Sequence, residues 1–393
     1  VDLSHSAEDE QFRNDLRSWL ETNIPVAWRE PGFWDSIDKQ EAFGLRREWE
    51  AKKAEAGWAG IAWPAEYGGR GGTPAQKSIY DEETARASTP QTVNPLGLTF
   101  LAPSVMVFGT EEQKKTIIPD LLFNRVIWCQ GFSEPGAGSD LAALQCKAED
   151  QGDHWLVNGQ KVWTTNAMHG DWIFTLCRTN PDAPRHAGIS MLLIDMHAEG
   201  VEARPLKQMS GASEFGEVFF TDVRVPKSSI LGPVDKGWEV AMVLLSFERG
   251  SSAMGQYTAF RRELDAVAHL AATRERFGQP AATDPVLRQK LGSSLVELEL
   301  LKLHSLHVLT AVEQGRELGF EASMTKLQWS ETHQDLGELF LDVAELSAQE
   351  TPRGEDLDPL QMSALWSRSE TIWGGSSQVQ RNVVAERVLG LPR

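Results

Sequence analysis

Three stretches of this chain carry residue types and spacings that could do chemistry. The first, Gln130 to Ser139, follows an apolar strand-like run, Val126 to Phe132, and turns through Gly136, Ala137 and Gly138. Glycines let a backbone approach a ligand closely, and the N–H groups beside Ser133 and Ser139 suit an oxygen-rich one. The second, Val162-Trp163-Thr164-Thr165, sets an indole beside two hydroxyls. A π-face flanked by hydroxyl donors suits a flat, hydrogen-bonding heterocycle. The third is an acid. Glu248 follows Val243, Leu244, Leu245 and Phe247, and its neighbours at helical spacing are Leu244, Leu245, Ser251 and Ser252. Desolvation there favours the neutral carboxyl and so a usable general base; pairing with Arg249 is the competing reading.

Other patterns carry less. His304 and His307 lie three apart on an apolar helix with no carboxylate to complete a metal site, so no metal is expected. Ser323 and Lys326 match S-x-x-K without its companion motifs. The loop WPAEYGGRGGTP, at 63–74, lacks the Lys-Ser/Thr ending of a phosphate-binding P-loop. Cys129, Cys146 and Cys177 show no metal spacing and read as buried structural thiols, which fits a reducing cytoplasm.

The elements that must position these residues fall into three blocks. Ser6 with Asp9 suits a capping box, and Phe12, Leu16, Trp19 and Leu20 mark one helix face. Further helices are expected at 39–56, 74–87, 94–108 and 111–123, the last capped by Thr110 and Gln113. Periodicity then turns to β. Strands are expected near 126–132, 143–149, 154–158, 160–165, 171–177, 188–195 and 216–225, with Asn158-Gly159 as a hairpin turn and Pro226 ending the β region. Helices return after Lys236, with Asp284-Pro285 as a cap and first turn. Helix, sheet, helix argues an α+β chain with an N-terminal helical domain at 1–125, a small middle β domain at 126–235 and a C-terminal helical bundle at 236–393.

At 393 residues the chain can hold two or three domains, and 41% hydrophobic with 24% charged content is ordinary for a globular protein. A formal charge of −18 argues against nucleic acid and anionic membrane as partners. No apolar run approaches spanning length, and residues 1–10 lack a signal-peptide pattern.

GFSEPGAGSDLAA and VWTTN resemble the flavin-binding middle of the acyl-CoA dehydrogenases. The resemblance extends from WPAEYGGRGG to the terminal GGSSQVQRNVVAERVLG. It implies FAD as cofactor, an acyl-CoA substrate, lipid metabolism, electron-transfer flavoprotein as electron acceptor, and a homotetrameric dimer of dimers or a heterotetramer. Cofactor contacts carried over are Gln130, Phe132, Ser133, Gly138, Ser139, Trp163, Thr164 and Thr165. Arg274, Arg276 and Phe277 resemble the segment that reaches a neighbouring subunit's pyrophosphate, and Ser376 and Gln378 the adenine-side contacts. Ser139, Ser246, Phe247, Arg249 and Trp373 resemble substrate-lining positions.

Two departures matter. Much of the family has its catalytic glutamate where this chain has Gly374. Members resembling isovaleryl-CoA dehydrogenase place it on the helix that here carries Glu248, so Glu248 is the expected base and the Gly374 N–H a donor to the thioester oxygen. The glycine-rich run expected at 343–362 is replaced by VAELSAQETPRGEDLDPLQM, which is assigned no cofactor contact. An acyl-CoA oxidase and a base-deficient partner subunit of a heteromeric dehydrogenase are the alternatives.

Overall fold

Side chains that satisfy the first N–H groups set the helix starts. Ser6 and Asp9, and Thr110 and Gln113, form reciprocal capping boxes, and Asp284 caps a helix that opens on Pro285. The computed structural model describes residues 6–30, 33–248, 253–316, 321–351 and 357–392; within these, the side chains of 35, 246–248, 253 and 313 lie outside the description. In chain order come α1 (Ala7–Asn23), α2 (Phe33–Ser36), α3 (Lys39–Glu55), α4 (Pro74–Arg86), α5 (Ala102–Phe108) and α6 (Glu111–Leu122). Strands follow: β1 (Trp128–Gly131), β2 (Lys147–Asp150), β3 (His154–Thr165), β4 (Trp172–Arg178), β5 (Ile189–Asp195), β6 (Val201–Leu206), β7 (Phe215–Pro226) and β8 (Ile230–Leu231). Next are α7 (Gly237–Glu248), α8 (Ala253–Thr273), the hairpin β9 (Glu275–Arg276) and β10 (Gln279–Pro280), α9 (Pro285–Glu313), α10 (Glu321–Ala344), α11 (Pro359–Glu370) and α12 (Ser377–Arg387). The fold is α+β, helical at both ends with a β middle, and no helix among the described residues is long and apolar enough to cross a membrane.

Several expectations change. Asn158-Gly159 is not a hairpin: β3 runs through it, paired with β2 on one edge and β7 on the other, with a register shift between Val157 and Gly159. The glycine serves close approach, because a Cβ there would sit 2.6 Å from the Cys146 Cα. Asn158 is used sideways, exchanging hydrogen bonds of 3.0 and 2.9 Å with Asp222 on β7. The β region also outlasts Pro226, since β8 pairs with β5, and β6 was not foreseen. The helix expected at 94–108 contains a wide turn, Gly97–Leu101, before α5 begins.

Two compact units result. One comprises Pro25–Gly72 and Pro90–Glu248. Its β strands run in the order β6-β7-β3-β2-β4-β5-β8, with β1 parallel to β4. Side chains alternate across the sheet: Phe174, Leu176, Met191 and Leu193 join a core with Leu101, Val105 and Leu244, while Ile173, Cys177, Leu192 and Ile194 join another with Val157 and Val223. Both faces of β4 and β5 are therefore covered.

The other unit comprises Val1–Ile24, Thr73–Thr89 and Arg249–Arg393. Phe260, Leu264, Leu298, Leu301, Leu336 and Phe340 are central in its core. Helices α1 and α4 are joined by Glu83, whose carboxylate takes Arg13, Arg17 and Arg86 at 3.0, 2.6 and 2.8 Å.

Candidate functional site

The loop after β1 is built around a buried ion pair. Gly131 approaches β4 so closely that a Cβ would sit 2.6 Å from the Thr175 hydroxyl, which donates to the Gly131 carbonyl at 2.7 Å. Phe132 packs edge-on against Phe174. Glu134 and Ala137 close the turn through paired backbone bonds of 3.0 Å. The Glu134 carboxylate accepts from the N–H groups of Gln145 and Cys146 at 2.7 and 2.9 Å and from Lys161 Nζ at 2.7 Å. Lys161, 0% exposed, also donates to the Phe132 carbonyl at 3.2 Å. Neither member was foreseen; the one sequence signal was a lysine inside an otherwise strand-forming run. Burying two charges is tolerable only when other hydrogen bonds support them, and here the carboxylate takes three donors and the ammonium gives two.

That pair leaves the tip of the loop clear. Gly136, Gly138 and Ser139 are exposed, and a Cβ at either glycine would meet nothing within 4 Å. Nothing within the described chain requires glycine at either position. Ser133 is half-buried, and its carbonyl accepts from the Val162 N–H at 2.9 Å, tying the loop to β3.

On β3 the register slips between Lys161 and Thr164, and Trp163 sits in that slip with φ +60°. A bulge re-aims a side chain, and a left-handed backbone at a bulky residue costs roughly 1–3 kcal/mol. The indole is 60% exposed, edge-on to Phe215 at 6.1 Å between ring centroids. Thr164 is buried with its hydroxyl unpaired, and Thr165 ends the strand half-buried. Thus Trp163, Thr164 and Thr165 close β3, and Ser133, on the loop after β1, is tied to the same strand through Val162. Asn94 fixes the start of β1: Oδ1 accepts from Trp128 N at 3.0 Å and Nδ2 donates to Val126 O at 2.8 Å.

Helix α7 runs to Glu248 against this same sheet. Val240, Ala241 and Leu244 are buried, and a Cβ on Gly237 would strike the Ser190 and Met191 backbone at 2.5–2.6 Å. The side chains of Ser246, Phe247 and Glu248, and all of Arg249, Ser251 and Ser252, lie outside the described residues.

In the other unit the loop after α11 holds Trp373 and Gly374 and runs into α12, which Ser376 caps and which carries Gln378. Gly374 and Gly375 have φ +66° and +88°, a region that disfavours side chains. The Gly374 carbonyl accepts from Gln380 Nε2 at 3.0 Å, and the Ser377 N–H donates to the Thr371 carbonyl at 3.0 Å. Trp373 packs against Trp329 at 5.5 Å and donates to Ser369 Oγ at 3.1 Å. Ser376 caps α12 through Val379 N, and Gln378 is exposed.

The β9–β10 hairpin turns through Phe277 and Gly278, both with positive φ, as a tight two-residue loop needs. Phe277 is 94% exposed at its tip. The arginines below it are engaged: Arg274 with Ser347 Oγ at 2.7 Å, Arg276 with Asp284 at 3.2 Å and Glu345 at 3.1 Å. His304 bonds Gln328, and no group of three potential metal ligands occurs among the described residues.

Models of the acyl-CoA dehydrogenase N-terminal, middle and C-terminal domains match residues 6–124, 129–223 and 235–389. The acyl-CoA dehydrogenase IpdE1 of Mycobacterium tuberculosis is 41% identical over 388 residues, 98% of either chain. Of solved structures, the ChsE4–ChsE5 complex from Mycobacterium tuberculosis matches with TM-score 0.84 at 28% identity, covering 100% of both chains. A chain of the Tcur3481–Tcur3483 steroid ACAD matches with TM-score 0.83 at 28% identity, again over 100% of both.

Proposed function

The chain belongs to the acyl-CoA dehydrogenase family, an oxidoreductase family of flavoproteins, and from that premise we propose that it catalyses FAD-dependent α,β-dehydrogenation of an acyl-CoA thioester with Glu248 as base. The observation that carries this reading is the surface at Trp163. A largely exposed indole is held in a strained bulge of β3, with the half-buried Thr165 two residues further on. A flat ring with hydrogen-bonding edges fits that surface, and the clear tip at Gly136 and Gly138 leaves room for it.

Trp163, Thr164, Thr165 and Ser133 would hold the flavin ring, with Gln130, Phe132, Gly138 and Ser139 along the same loop. Ser376 and Gln378 would serve the adenine side. Arg274, Arg276 and Phe277 would reach the cofactor of a neighbouring subunit, where Arg276 would exchange Asp284 and Glu345 for phosphate. When bound, the flavin supplies the acceptor for the hydride leaving Cβ. Glu248 takes the α-proton. Negative charge then develops on the thioester oxygen, where the Gly374 N–H donates; a preorganised donor there lowers the barrier. Ser139, Ser246, Phe247, Arg249 and Trp373 would line the acyl-CoA. A glycine at 374 leaves room for a bulky acyl group, so we assign branched or ring-bearing thioesters as the substrate class, in keeping with the steroid ACAD among the structural matches. Electron-transfer flavoprotein would reoxidise the enzyme, within a homomeric dimer of dimers or a heterotetramer.

Glu248→Gln tests the base. It keeps shape and FAD content, and flavin bleaching by substrate in stopped flow should slow by about two to four orders of magnitude. Bleaching near the wild-type rate removes Glu248 from the role. A second reading, a base-deficient subunit of a heteromeric dehydrogenase, is favoured by the bare Gly374 and by the engaged Arg276. The two-name complexes among the structural matches agree with it. Purified alone, such a subunit would hold little flavin and bleach with no acyl-CoA.

A further inference from the structure

One face of α10 is spent on the residues that lead into the Gly374 loop. Lys326 Nζ donates to the Glu370 carbonyl at 2.7 Å, and Gln334 Nε2 donates to Thr371 Oγ1 at 2.8 Å. Between them His333, 4% exposed, meets Glu370 Oε2 through Nδ1 at 2.5 Å. Its Nε2 lies 3.1 Å from Glu263 Oε2 and 2.8 Å from Ser363 Oγ. Phe260 stacks on the ring at 4.2 Å between centroids. The other Glu370 oxygen accepts from Trp366 Nε1 at 3.1 Å. The charged groups facing the imidazole are thus Glu263 from α8 and Glu370 from α11, with Lys326 on α10 itself bound to the Glu370 main chain. A ring whose two nitrogens both face carboxylates is an imidazolium donating on both sides.

Glu370 is the last residue of α11, and Gly374 follows four residues later. Downstream the loop is held by Gln380 on the Gly374 carbonyl. The chain between these anchors makes one turn with two left-handed glycines, so the orientation of α11's end decides where the 374 N–H stands.

We propose that the His333–Glu370 pair is a positioning device for the Gly374 main chain, holding its N–H where the thioester oxygen develops charge. This rests on the reading of Gly374 given under the proposed function. A misplacement of an ångström at such a donor can cost about a hundredfold in rate, and the Glu370 carboxylate, taken by His333 on one oxygen and Trp366 on the other, fixes the end of α11. The device stays charged through neutrality. Burial pulls the His333 pKa down, but the hydrogen bonds and charges of Glu263 and Glu370 more than reverse it, to about 9. It therefore lets go only in alkali.

The test uses the flavin-loaded protein in its native assembly and para-dimethylaminocinnamoyl-CoA, whose absorption moves to the red when its thioester carbonyl accepts hydrogen bonds. The variants are His333→Gln, Glu370→Gln and Thr371→Val, the last sparing every buried charge while removing the Thr371 hydroxyl's bonds to Gln334 and to the Arg368 carbonyl. Each should retain flavin and bind the probe within about twofold, lose half or more of the red shift, and lower kcat about tenfold or more with little change in KM. Glu263→Gln removes the far carboxylate, so it should keep the neutral-pH red shift while moving the shift's alkaline loss to lower pH. A red shift that ignores His333→Gln, Glu370→Gln and Thr371→Val overturns this inference alone. No red shift in the wild type overturns the Gly374 reading and this inference together. Should the two charge variants fail to fold, Glu263→Gln decides: an alkaline loss of the red shift that stays at the wild-type pH overturns the inference.

Discussion

The helical unit buries two charge clusters of opposite design. Around Glu83, 1% exposed, three guanidiniums converge on one carboxylate between α1 and α4. Around His333, two carboxylates converge on one imidazole between α8, α10 and α11. Both satisfy their buried polar atoms with several partners, so burial of charge does not separate a functional cluster from a structural one. Location does. Helices α1 and α4 carry none of the candidate residues, whereas α11 ends at Glu370 and runs straight into the Gly374 loop.

The largest effect expected from this contrast follows breaking the structural cluster. Glu83→Gln leaves three arginines facing an uncharged amide and should destabilise the protein by about 3–5 kcal/mol, with kcat per bound flavin unchanged. Chemical denaturation alongside flavin-normalised rates checks both halves. A fall in kcat per flavin would erase the distinction drawn between the clusters.

Next comes acid and alkali. Burial would raise the Glu83 pKa, but hydrogen bonds from Arg17, Arg86 and Arg13 hold it at about 2 against an ordinary 4.5. A depressed carboxylate stabilises above its unfolded pKa, so that contribution is lost as pH falls from 4.5 toward 2. The raised imidazole behaves oppositely: its contribution is complete below 6.5 and is lost as pH climbs through about 9. Each shift amounts to on the order of 3 kcal/mol. Melting temperature against pH should show two flanks, with Glu83→Gln flattening the acid one and His333→Gln the alkaline one. Flanks that survive both variants would assign them to other groups.

The smallest effect should come from Gly374→Ala. At φ +66° a Cβ costs about 1–2 kcal/mol, so thermal melting should fall slightly while the loop's anchors at Glu370 and Gln380 persist. The same strain applies to Gly374→Glu. Restoring the family's carboxylate there works against the backbone, and rescue of Glu248→Gln by that change should be weak.

Local chemistry was legible in the sequence, and distant pairing was not. Capping boxes at Ser6 and Thr110, and the Asp284-Pro285 start, need only residues within a turn of each other, and they stand as read. The hydroxyl and indole residues of the candidate flavin surface were visible as a run. What holds them was hidden: Glu134 and Lys161 are 27 residues apart, and Glu263, His333 and Glu370 come from three helices. Asn158-Gly159 misled because its turn signature is local, whereas the pairing of β3 along both edges is decided by β2 and β7. Strand β6 escaped because Val201–Leu206 is short, carries Pro205 and is nowhere fully buried, so its Val-Glu-Ala-Arg alternation makes a weak signal.

That same Asn158-Gly159 step bears on how the protein ages. An asparagine followed by glycine is the pair most prone to spontaneous deamidation, since the unhindered glycine nitrogen attacks the side-chain amide to form a succinimide. In β3 the amide is held by Asp222 and the glycine lies against Cys146, with Asn158 paired to β2 and Gly159 to β7. Ring closure must wait for that stretch of sheet to open. Isoaspartate accumulating at 158 would therefore record, as a slow chemical clock, how often the middle of the sheet comes apart.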